Sequence, residues 1–201
     1  MNASMLRECA PVDISEQDVL SAMKAMQGYI DITPADFREV YRAAYALAKQ
    51  RLLHALKADD VMSTPVHSVS QDADLVAAAT LLADRGISGA PVIDADGKIV
   101  GVVSEKDFLV RMGAGAEGSF MQVVAHCLKN KGCVATPLTN RTVGDIMSAP
   151  PATATAQISI GEIAALFTER KINRLPIIGK DDRPVGIVTR SDLVNAYCML
   201  G

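Results

Sequence analysis

Two short segments of the chain place a hydroxyl side chain three residues before a carboxylate, directly after an apolar run. They are Ser104–Asp107 (SEKD) and Thr189–Asp192 (TRSD). Where a strand gives way to a helix, the first N–H groups of the helix are unpaired and favour an anion. The same spacing is that of a capping box, in which the hydroxyl and the carboxylate satisfy the start of the helix. The residues alone therefore leave open an anion-binding site and a structural cap.

These segments occupy equivalent places in an internal repeat with an offset of 85 residues. The first copy opens with Asp60–Pro65 and the second with Asp145–Pro150. Of the 50 pairs formed by residues 60–109 and 145–194, 15 are identical without a gap. The chain therefore contains two copies of one structural unit.

Each copy is predicted to fold as strand, helix, strand, strand, helix. The first helix carries apolar residues three and four positions apart, such as Leu75, Ala78 and Leu82. Two short apolar runs follow, and a turn signal such as Asp94–Gly97 separates them. Met62 and Met147 hold matched positions and are expected in the core. We therefore predict an α/β fold of the α+β type with two pseudo-symmetric repeats, each covering apolar surface of the other.

An N-terminal helical segment is predicted before the repeats. A first helix should run from Ser15 to about Gln27 and stop at Gly28, and a longer one should begin at Thr33-Pro34. The longer helix has one apolar face, which is expected to pack against the repeats or a second copy, or to dock another protein. Its residues are Phe37, Val40, Tyr41, Ala44, Tyr45, Ala48, Leu52 and Leu56.

The paired motifs closely resemble a tandem cystathionine-beta-synthase (CBS) domain, also called a Bateman module. Each copy carries D-[VI]-M-S-x-P, a P-[VI]-I run and G-[VI]-V-[ST]-x-x-D, between residue 59 and about residue 198. The resemblance implies a stand-alone CBS pair and says little about the segments outside the two repeats, whose helices are predicted from their own residues; the chain is therefore divided into four parts. These are a helical extension (1–58), repeat 1 (59–110), an inserted helix and loop that is mobile in part (111–144) and repeat 2 (145–201).

The resemblance further implies a non-catalytic, allosteric module that binds an adenosyl ligand in the cleft between the repeats. The ligand would be AMP, ADP, ATP or S-adenosylmethionine, and binding would be transmitted by conformational or oligomeric change. Asp192 would accept hydrogen bonds from a ribose diol, Thr189 would meet the phosphates and Arg190 would supply a planar charged fork. The alternative is a structural dimerisation or assembly protein with a vestigial cleft.

The implied ligand site in repeat 2 is preferred over that in repeat 1. The repeat 2 residues are Thr153, Ala154, Thr155, Ile172, Arg174, Leu175, Pro176, Ile187, Thr189, Arg190 and Asp192. The repeat 1 residues are Ser68, Ser70, Ile87, Ala90, Pro91, Ser104, Lys106 and Asp107. Arg190 is replaced by Glu105 in repeat 1, where an acid beside a phosphate is unfavourable. We therefore expect unequal sites, with repeat 1 empty or taking a less anionic ligand.

Composition excludes several classes of function. The 201 residues include 20 Lys and Arg against 23 Asp and Glu, so there is no basic field for nucleic acid. The longest apolar runs are about five residues, against the roughly 20 needed to span a bilayer. No signal-peptide pattern occurs. We expect a cytoplasmic homodimer that binds neither nucleic acid nor membrane, with an unknown protein partner as a further option for the N-terminal helices.

Catalysis and metal binding are not expected. No nucleophile elbow, phosphate loop or His-Glu-x-x-His motif occurs. His126-Cys127 and Cys133 match no closed zinc pattern. The cysteines at positions 9, 127, 133 and 198 are expected to be reduced thiols. A small enzyme using Cys127 or Cys133 would need a perturbed thiol and a general base nearby.

Overall fold

The computed structural model describes residues 15–26, 32–113, 119–129, 138 and 140–199. The predicted stop at Gly28, parts of the inserted segment 111–144 and two cysteines, Cys9 and Cys133, lie outside these residues; the mobility predicted for part of the insertion stays a prediction. The helices are α1 Glu16–Ala25, α2 Pro34–Ala55, α3 Ala58–Val61, α4 Leu75–Asp84, α5 Glu105–Arg111, α6 Phe120–Lys129, α7 Ile160–Glu169 and α8 Arg190–Met199. The strands are β1 Val69–Ser70, β2 Gly89–Ile93, β3 Ile99–Ser104, β4 Ala154–Thr155, β5 Arg174–Ile178 and β6 Pro184–Thr189.

Each repeat contributes one three-stranded sheet, in the orders β1-β2-β3 and β4-β5-β6. In the first sheet β1 runs parallel to β2, and β2 runs antiparallel to β3. In the second sheet β4 runs parallel to β5. Helix α4 connects β1 to β2 and helix α7 connects β4 to β5, as a parallel pair requires. The predicted α+β fold and the order strand, helix, strand, strand, helix are confirmed in both repeats.

The N-terminal helices begin as their sequence predicts. Ser15 caps α1, and its hydroxyl and backbone N–H both donate to Asp18 Oδ2. Thr33 does the same with Asp36 at the start of α2. These hydrogen bonds lower the pKa of both carboxyl groups, the hydroxyl bond being the largest cause.

The chain forms two compact units that do not follow the repeats. The helical unit takes residues up to Val61, Gln157–Arg174 and the residues from Val188 onward. The sheet unit takes Met62–Ala156 and Leu175–Ile187. Repeat 1 lies in the sheet unit from Met62 onward, whereas repeat 2 contributes residues to both units. Proximity along the chain therefore does not decide which residues share a core.

The helical unit packs α2 against α1 and α7, and packs α8 against α3 and α7. Its buried apolar residues include Val19, Ala58, Ile160, Ile163, Phe167, Val188, Leu193 and Ala196. This packing covers only part of the apolar face predicted for α2. Phe37 and Tyr45 are half-buried, whereas Val40 is 64% exposed and Tyr41 is 38% exposed.

The sheet unit contains a reciprocal exchange between the repeats. Ser148 pairs with Val102 through two backbone hydrogen bonds, of 2.9 and 3.0 Å. Ser63 pairs in the same way with Ile187, at 2.9 and 3.3 Å. The segment that opens each repeat therefore pairs antiparallel with the last strand of the other repeat. The core beneath the first sheet comprises Val69, Leu75, Ala78, Leu82, Ala90, Val92, Val103, Leu138, Val143 and Ile146.

This exchange places a methionine over a glycine on each side. A Cβ added to Gly101 would collide with Met147 Sδ, and a Cβ added to Gly186 would collide with Met62 Sδ. Met147 packs against the sheet-unit core, and both methionines are half-buried. The glycines are thus required for close approach of a side chain from the other repeat.

One cysteine prediction is wrong. Cys127 is free and exposed, but Cys198 in α8 is disulfide-bonded. Cysteine spacing along the chain carries no information about which sulfur atoms approach each other in the fold, and that approach decides bonding. Within the described ranges, no helix combines the length and the apolar character needed to cross a membrane.

Candidate functional site

The two strand-to-helix junctions have nearly identical geometry. Ser104 donates to Asp107 Oδ2 from its backbone N–H at 2.7 Å and from its hydroxyl at 2.6 Å. Thr189 donates to Asp192 Oδ2 over the same two distances. Both segments therefore form the capping arrangement that their spacing allows. The cap uses one carboxylate oxygen, so it does not by itself exclude a ligand on the other.

The second carboxylate oxygen is already engaged in repeat 1. Asp107 Oδ1 accepts a hydrogen bond from the Ser148 hydroxyl at 3.2 Å. Arg111 also reaches this region and donates from Nη2 to the carbonyl of Asp145 at 3.0 Å. Sequence reasoning missed Ser148 as a neighbour of the junction. The signal for Ser148 was its place in the D-[VI]-M-S-x-P motif, which the exchange between repeats brings onto β3.

The helix before each middle strand ends in a left-handed residue that turns the chain towards the junction. Gly86 has φ +61° after α4 and Lys171 has φ +53° after α7. The next residue donates back into the helix, from Ile87 N to Leu82 O at 3.0 Å and from Ile172 N to Phe167 O at 3.2 Å. These are the bonds of a Schellman motif. Both isoleucines, which are candidate ligand contacts, are half-buried.

A backbone hydrogen bond joins this turn to the junction in each repeat. Glu105 N donates to Ser88 O, and Arg190 N donates to Asn173 O, both at 3.1 Å. In the helical unit the bond brings Arg190 beside the loop that contains Ile172 and leads into β5 at Arg174. The candidates Ile172, Arg174, Thr189, Arg190 and Asp192 therefore gather within that unit.

The remaining candidates of repeat 2 belong to the sheet unit. They are Thr153, Ala154, Thr155, Leu175, Pro176 and Ile187. Leu175 and Pro176 are fully buried, whereas Thr153, Ala154 and Ile187 are half-buried and Thr155 is exposed. The two buried residues thus serve as core, and the partly exposed ones offer surface to a ligand.

The candidates of repeat 1 all belong to the sheet unit. Ala90 and Pro91 in β2 are fully buried. Ser68 precedes β1 and is half-buried, while Ser70 and Lys106 are exposed. Glu105, next to Lys106, is also exposed. The polar candidates of this repeat are therefore accessible to solvent, and its apolar candidates in β2 belong to the core.

Hydrogen bonds from capping residues lower the pKa values of two further carboxyl groups. Asp145 has a lowered pKa, chiefly because the backbone N–H of Thr142 donates to its carboxylate. Glu162 at the start of α7 has a lowered pKa, chiefly because the Ser159 hydroxyl donates to it at 2.6 Å. No group of acidic, histidine or cysteine side chains suited to a metal ion occurs among the described residues.

Comparison with known proteins decides the family. The family model described as CBS domain matches residues 58–113 and 143–198, which is more than half of the chain. The chain belongs to the CBS-domain family. The two matched regions contain Asp107 and Asp192, so both junctions lie inside a CBS domain.

A curated CBS relative is the chloroplastic CBS domain-containing protein CBSX1 of Arabidopsis thaliana. It is 32% identical in an alignment 164 residues long that covers 78% of this chain and 64% of that relative. The match thus spans slightly less than two thirds of the relative's length.

Two solved structures share the CBS-pair fold. The CBS domain of a CBS domain-containing membrane protein from Sphaerobacter thermophilus is 31% identical, with a TM-score of 0.62, and the match covers 78% of this chain and 97% of that one. The structure of CBSX2 in complex with AMP is 27% identical, with a TM-score of 0.55, and the match covers 72% of this chain and 97% of that one. CBSX2 comes from Arabidopsis thaliana.

Proposed function

We propose that this CBS pair is a non-catalytic regulatory module that binds an adenosyl ligand and transmits binding through a change of conformation or of oligomeric state. The observation that carries the proposal is the similarity to CBSX2, which was solved in complex with AMP. AMP is the first ligand to test, followed by ADP, ATP and S-adenosylmethionine.

The junction of repeat 2 supplies the groups that such a ligand needs. Among the described residues, Asp192 Oδ2 accepts the hydrogen bonds from the Thr189 backbone N–H and hydroxyl, and in this proposal Oδ1 accepts from a ribose hydroxyl. Helix α8 begins beside it, and its first N–H groups favour phosphate. Arg190 is exposed at the same helix start. Asp192 is therefore the residue whose replacement tests the proposal most directly.

Transmission follows from linkage. A ligand shifts an equilibrium between two arrangements only by its difference in affinity for them. In a homodimer, which we propose as the working form, the same difference would appear as ligand-dependent association. Asp192 begins α8, and α8 packs against α3 and α7. A ligand at this junction therefore acts directly on a helix in the packing of the helical unit.

A structural assembly role is the second candidate. It is favoured by large apolar side chains that stay exposed, 68% for Leu47 in α2 and 84% for Leu128 in α6. Such residues favour contact with another surface where they form a contiguous apolar patch. In that case the chain would associate tightly and respond to no adenosyl ligand.

A thermal-shift panel separates the two candidates. The full chain is heated with AMP, ADP, ATP and S-adenosylmethionine, and with GTP as a base-specificity control. A ligand at 100 times its Kd stabilises the folded state by about 2.7 kcal/mol. We expect at least one adenosyl ligand to raise the Tm, with a smaller rise for Asp192→Ala.

Sedimentation of the same samples reports the oligomeric state. A ligand-dependent shift in sedimentation would support transmission by association. No Tm response to any adenosyl ligand, together with tight association, would contradict the sensor function and favour assembly.

A further inference from the structure

The two junctions share one backbone frame but differ in charge. Their capping bonds have equal lengths of 2.6 and 2.7 Å. The bonds from Glu105 N to Ser88 O and from Arg190 N to Asn173 O are both 3.1 Å. The chain therefore provides its own matched pair, in which geometry is held constant while the side chains vary.

A basic cluster lies on the two chain segments that meet at the junction of repeat 2. It is defined here as Arg170, Lys171, Arg174 and Arg190. All four belong to the helical unit. Arg174 opens β5 next to Asn173, whose carbonyl accepts from Arg190 N. The two arginines thus flank one hydrogen bond, and Arg190 is exposed while Arg174 is half-buried.

The equivalent residues of repeat 1 carry no such cluster. They are Arg85, Gly86, Gly89 and Glu105. Lys106 adds one cation where repeat 2 has Ser191. Around both junctions, residues 84–89 and 104–107 hold two cations and three acids, whereas residues 169–174 and 189–192 hold four cations and two acids. The local formal charge is therefore negative in repeat 1 and positive in repeat 2.

This difference acts on the phosphates of a ligand and not on its adenosine. Each added phosphate brings negative charge that arginine forks bind through paired, charge-assisted hydrogen bonds. The start of α8 favours the same charge. At repeat 1, Glu105 would repel it.

Building on the proposed function, we infer that the basic cluster makes repeat 2 selective for adenosine polyphosphates, with Arg174 and Arg190 as the specificity-determining residues. Repeat 1 takes adenosyl ligands of low negative charge. The selectivity lies in how affinity changes with the number of phosphates. A ribose at repeat 1 would share Asp107 Oδ1 with the Ser148 hydroxyl, so the comparison is made along the phosphate series within each site.

Isothermal titration with adenosine, AMP, ADP and ATP, without added divalent cation, tests the inference on the full chain. Asp107→Ala isolates the site of repeat 2. In that background we expect affinity to rise along the series, and we expect Arg190→Glu to weaken ATP by about tenfold or more while leaving adenosine nearly unchanged. Arg174→Gln should give a smaller loss in the same direction.

Charge controls exclude a general effect of net charge or misfolding. Lys180→Glu makes the same charge change in the turn that joins β5 to β6, at the other end of β5 from Arg174. It should leave the whole series unchanged. Adenosine binding by each variant shows that the site has folded, and Arg190→Gln provides a milder variant if Arg190→Glu fails to fold.

The converse charge substitution is made in repeat 1. In an Asp192→Ala background the series should be flat or should decline towards ATP, and Glu105→Arg should make it rise. Equal affinity for all four ligands at repeat 2, or an unchanged ratio of ATP to adenosine affinity in both arginine variants, would overturn the inference and leave the proposed function intact. No binding of any of the four ligands by the wild type would overturn the inference, and failure of S-adenosylmethionine to bind as well would overturn the proposed function.

Discussion

Repeat 1 and repeat 2 trace the same turn with different residues. After α4 the left-handed position is Gly86, at φ +61°, and after α7 it is Lys171, at φ +53°. In the turn between the last two strands, a glycine of repeat 1 is again matched by another residue in repeat 2, with Gly97 at φ +79° and Asp182 at φ +58°. Repeat 1 thus uses the residue that adopts this conformation without strain, and repeat 2 does not.

The difference shows that the backbone conformation of the turn is kept in both repeats while the side chain at the left-handed position varies. The Schellman bond from Ile87 N or Ile172 N fixes the turn in both repeats, whichever residue stands before it. Lys171 accepts backbone strain at a place where it adds charge to the basic cluster. This is the pattern expected where local preference yields to function.

The largest difference between the repeats should appear at the paired glycines. A Cβ on Gly101 would meet Met147 and also the backbone oxygen of Ser148 at 3.1 Å. The three atoms nearest to a Cβ on Gly186 all belong to the Met62 side chain, the last of them Cβ at 3.3 Å. Overpacking costs about 1–3 kcal/mol. We expect Gly101→Ala to lie near the top of this range and Gly186→Ala near the bottom, as measured by urea unfolding.

Double variants sharpen this comparison. Met62→Ala should relieve most of the clash of Gly186→Ala, because the three atoms nearest to the added Cβ all belong to the Met62 side chain. Met147→Ala should relieve less of the clash of Gly101→Ala, since the Ser148 carbonyl stays in place. Equal coupling energies in the two cycles would contradict the assigned role of the Ser148 backbone.

Substitutions at the left-handed positions should change stability by an intermediate amount, with opposite signs in the two repeats. Among the described residues, no heavy atom lies within 4 Å of the point that a Cβ on Gly86 would occupy, so Gly86→Ala tests backbone strain alone. It should destabilise by about 1 kcal/mol, and Lys171→Gly should stabilise by a similar amount or less. For a chain of this size that corresponds to about 2–4 °C in Tm.

A change in Tm in the opposite direction would contradict the prediction at Lys171. If Lys171→Gly lowers the Tm, the lysine side chain contributes more to stability than its strain removes. Lys171→Asn serves as the control for lost charge, because asparagine tolerates the left-handed region better than lysine does.

The smallest effect should be the pH dependence of a helix cap that repeat 1 lacks. Helix α7 starts with Ser159 and Glu162 in a capping box, whereas α4 starts with Asp74 accepting from Ala77 N. The pKa of Glu162 lies below its ordinary value of 4.5. Its contribution to stability is therefore present above pH 4.5 and is lost as the pH falls through the lowered pKa.

Thermal unfolding of wild type and Glu162→Gln from pH 7 to pH 3 measures this contribution. The wild type should be the more stable at neutral pH, and the two Tm values should converge at low pH. In a Ser159→Ala background the difference should shrink at every pH, because the hydroxyl is the largest cause of the shift. Parallel curves down to pH 3 would contradict the assignment.

Much of the fold could be predicted from the sequence because the same pattern of elements occurs in two copies, and each copy supports the prediction made for the other. Apolar spacing in α4 and α7 marks amphipathic helices, and Ser or Thr three residues before Asp marks where α5 and α8 begin. The contact of Ser148 with Asp107 could not be predicted this way. The two residues are 41 positions apart, and only the exchange between repeats brings them together.

The candidate ligand residues stay predictions, but their burial divides them in a way that sequence could not. An apolar residue in a short strand has two faces available, and pattern alone does not say which one meets the core. Leu175 and Pro176 proved fully buried, whereas Ile172 and Ile187 keep part of their surface open. The predicted boundaries of the four parts likewise stay predictions.

The sequence by itself determined the two CBS repeats, the order of their elements, the capping motifs and the contrast between Arg190 and Glu105. These properties depend on residue type and on spacing within one element, which local physics translates directly. Tertiary structure alone decided the pairing of Ser63 with Ile187, the methionines over Gly101 and Gly186, and the bonding of Cys198. Each of these joins segments far apart in the chain, so it depends on how surfaces pack and not on any local preference.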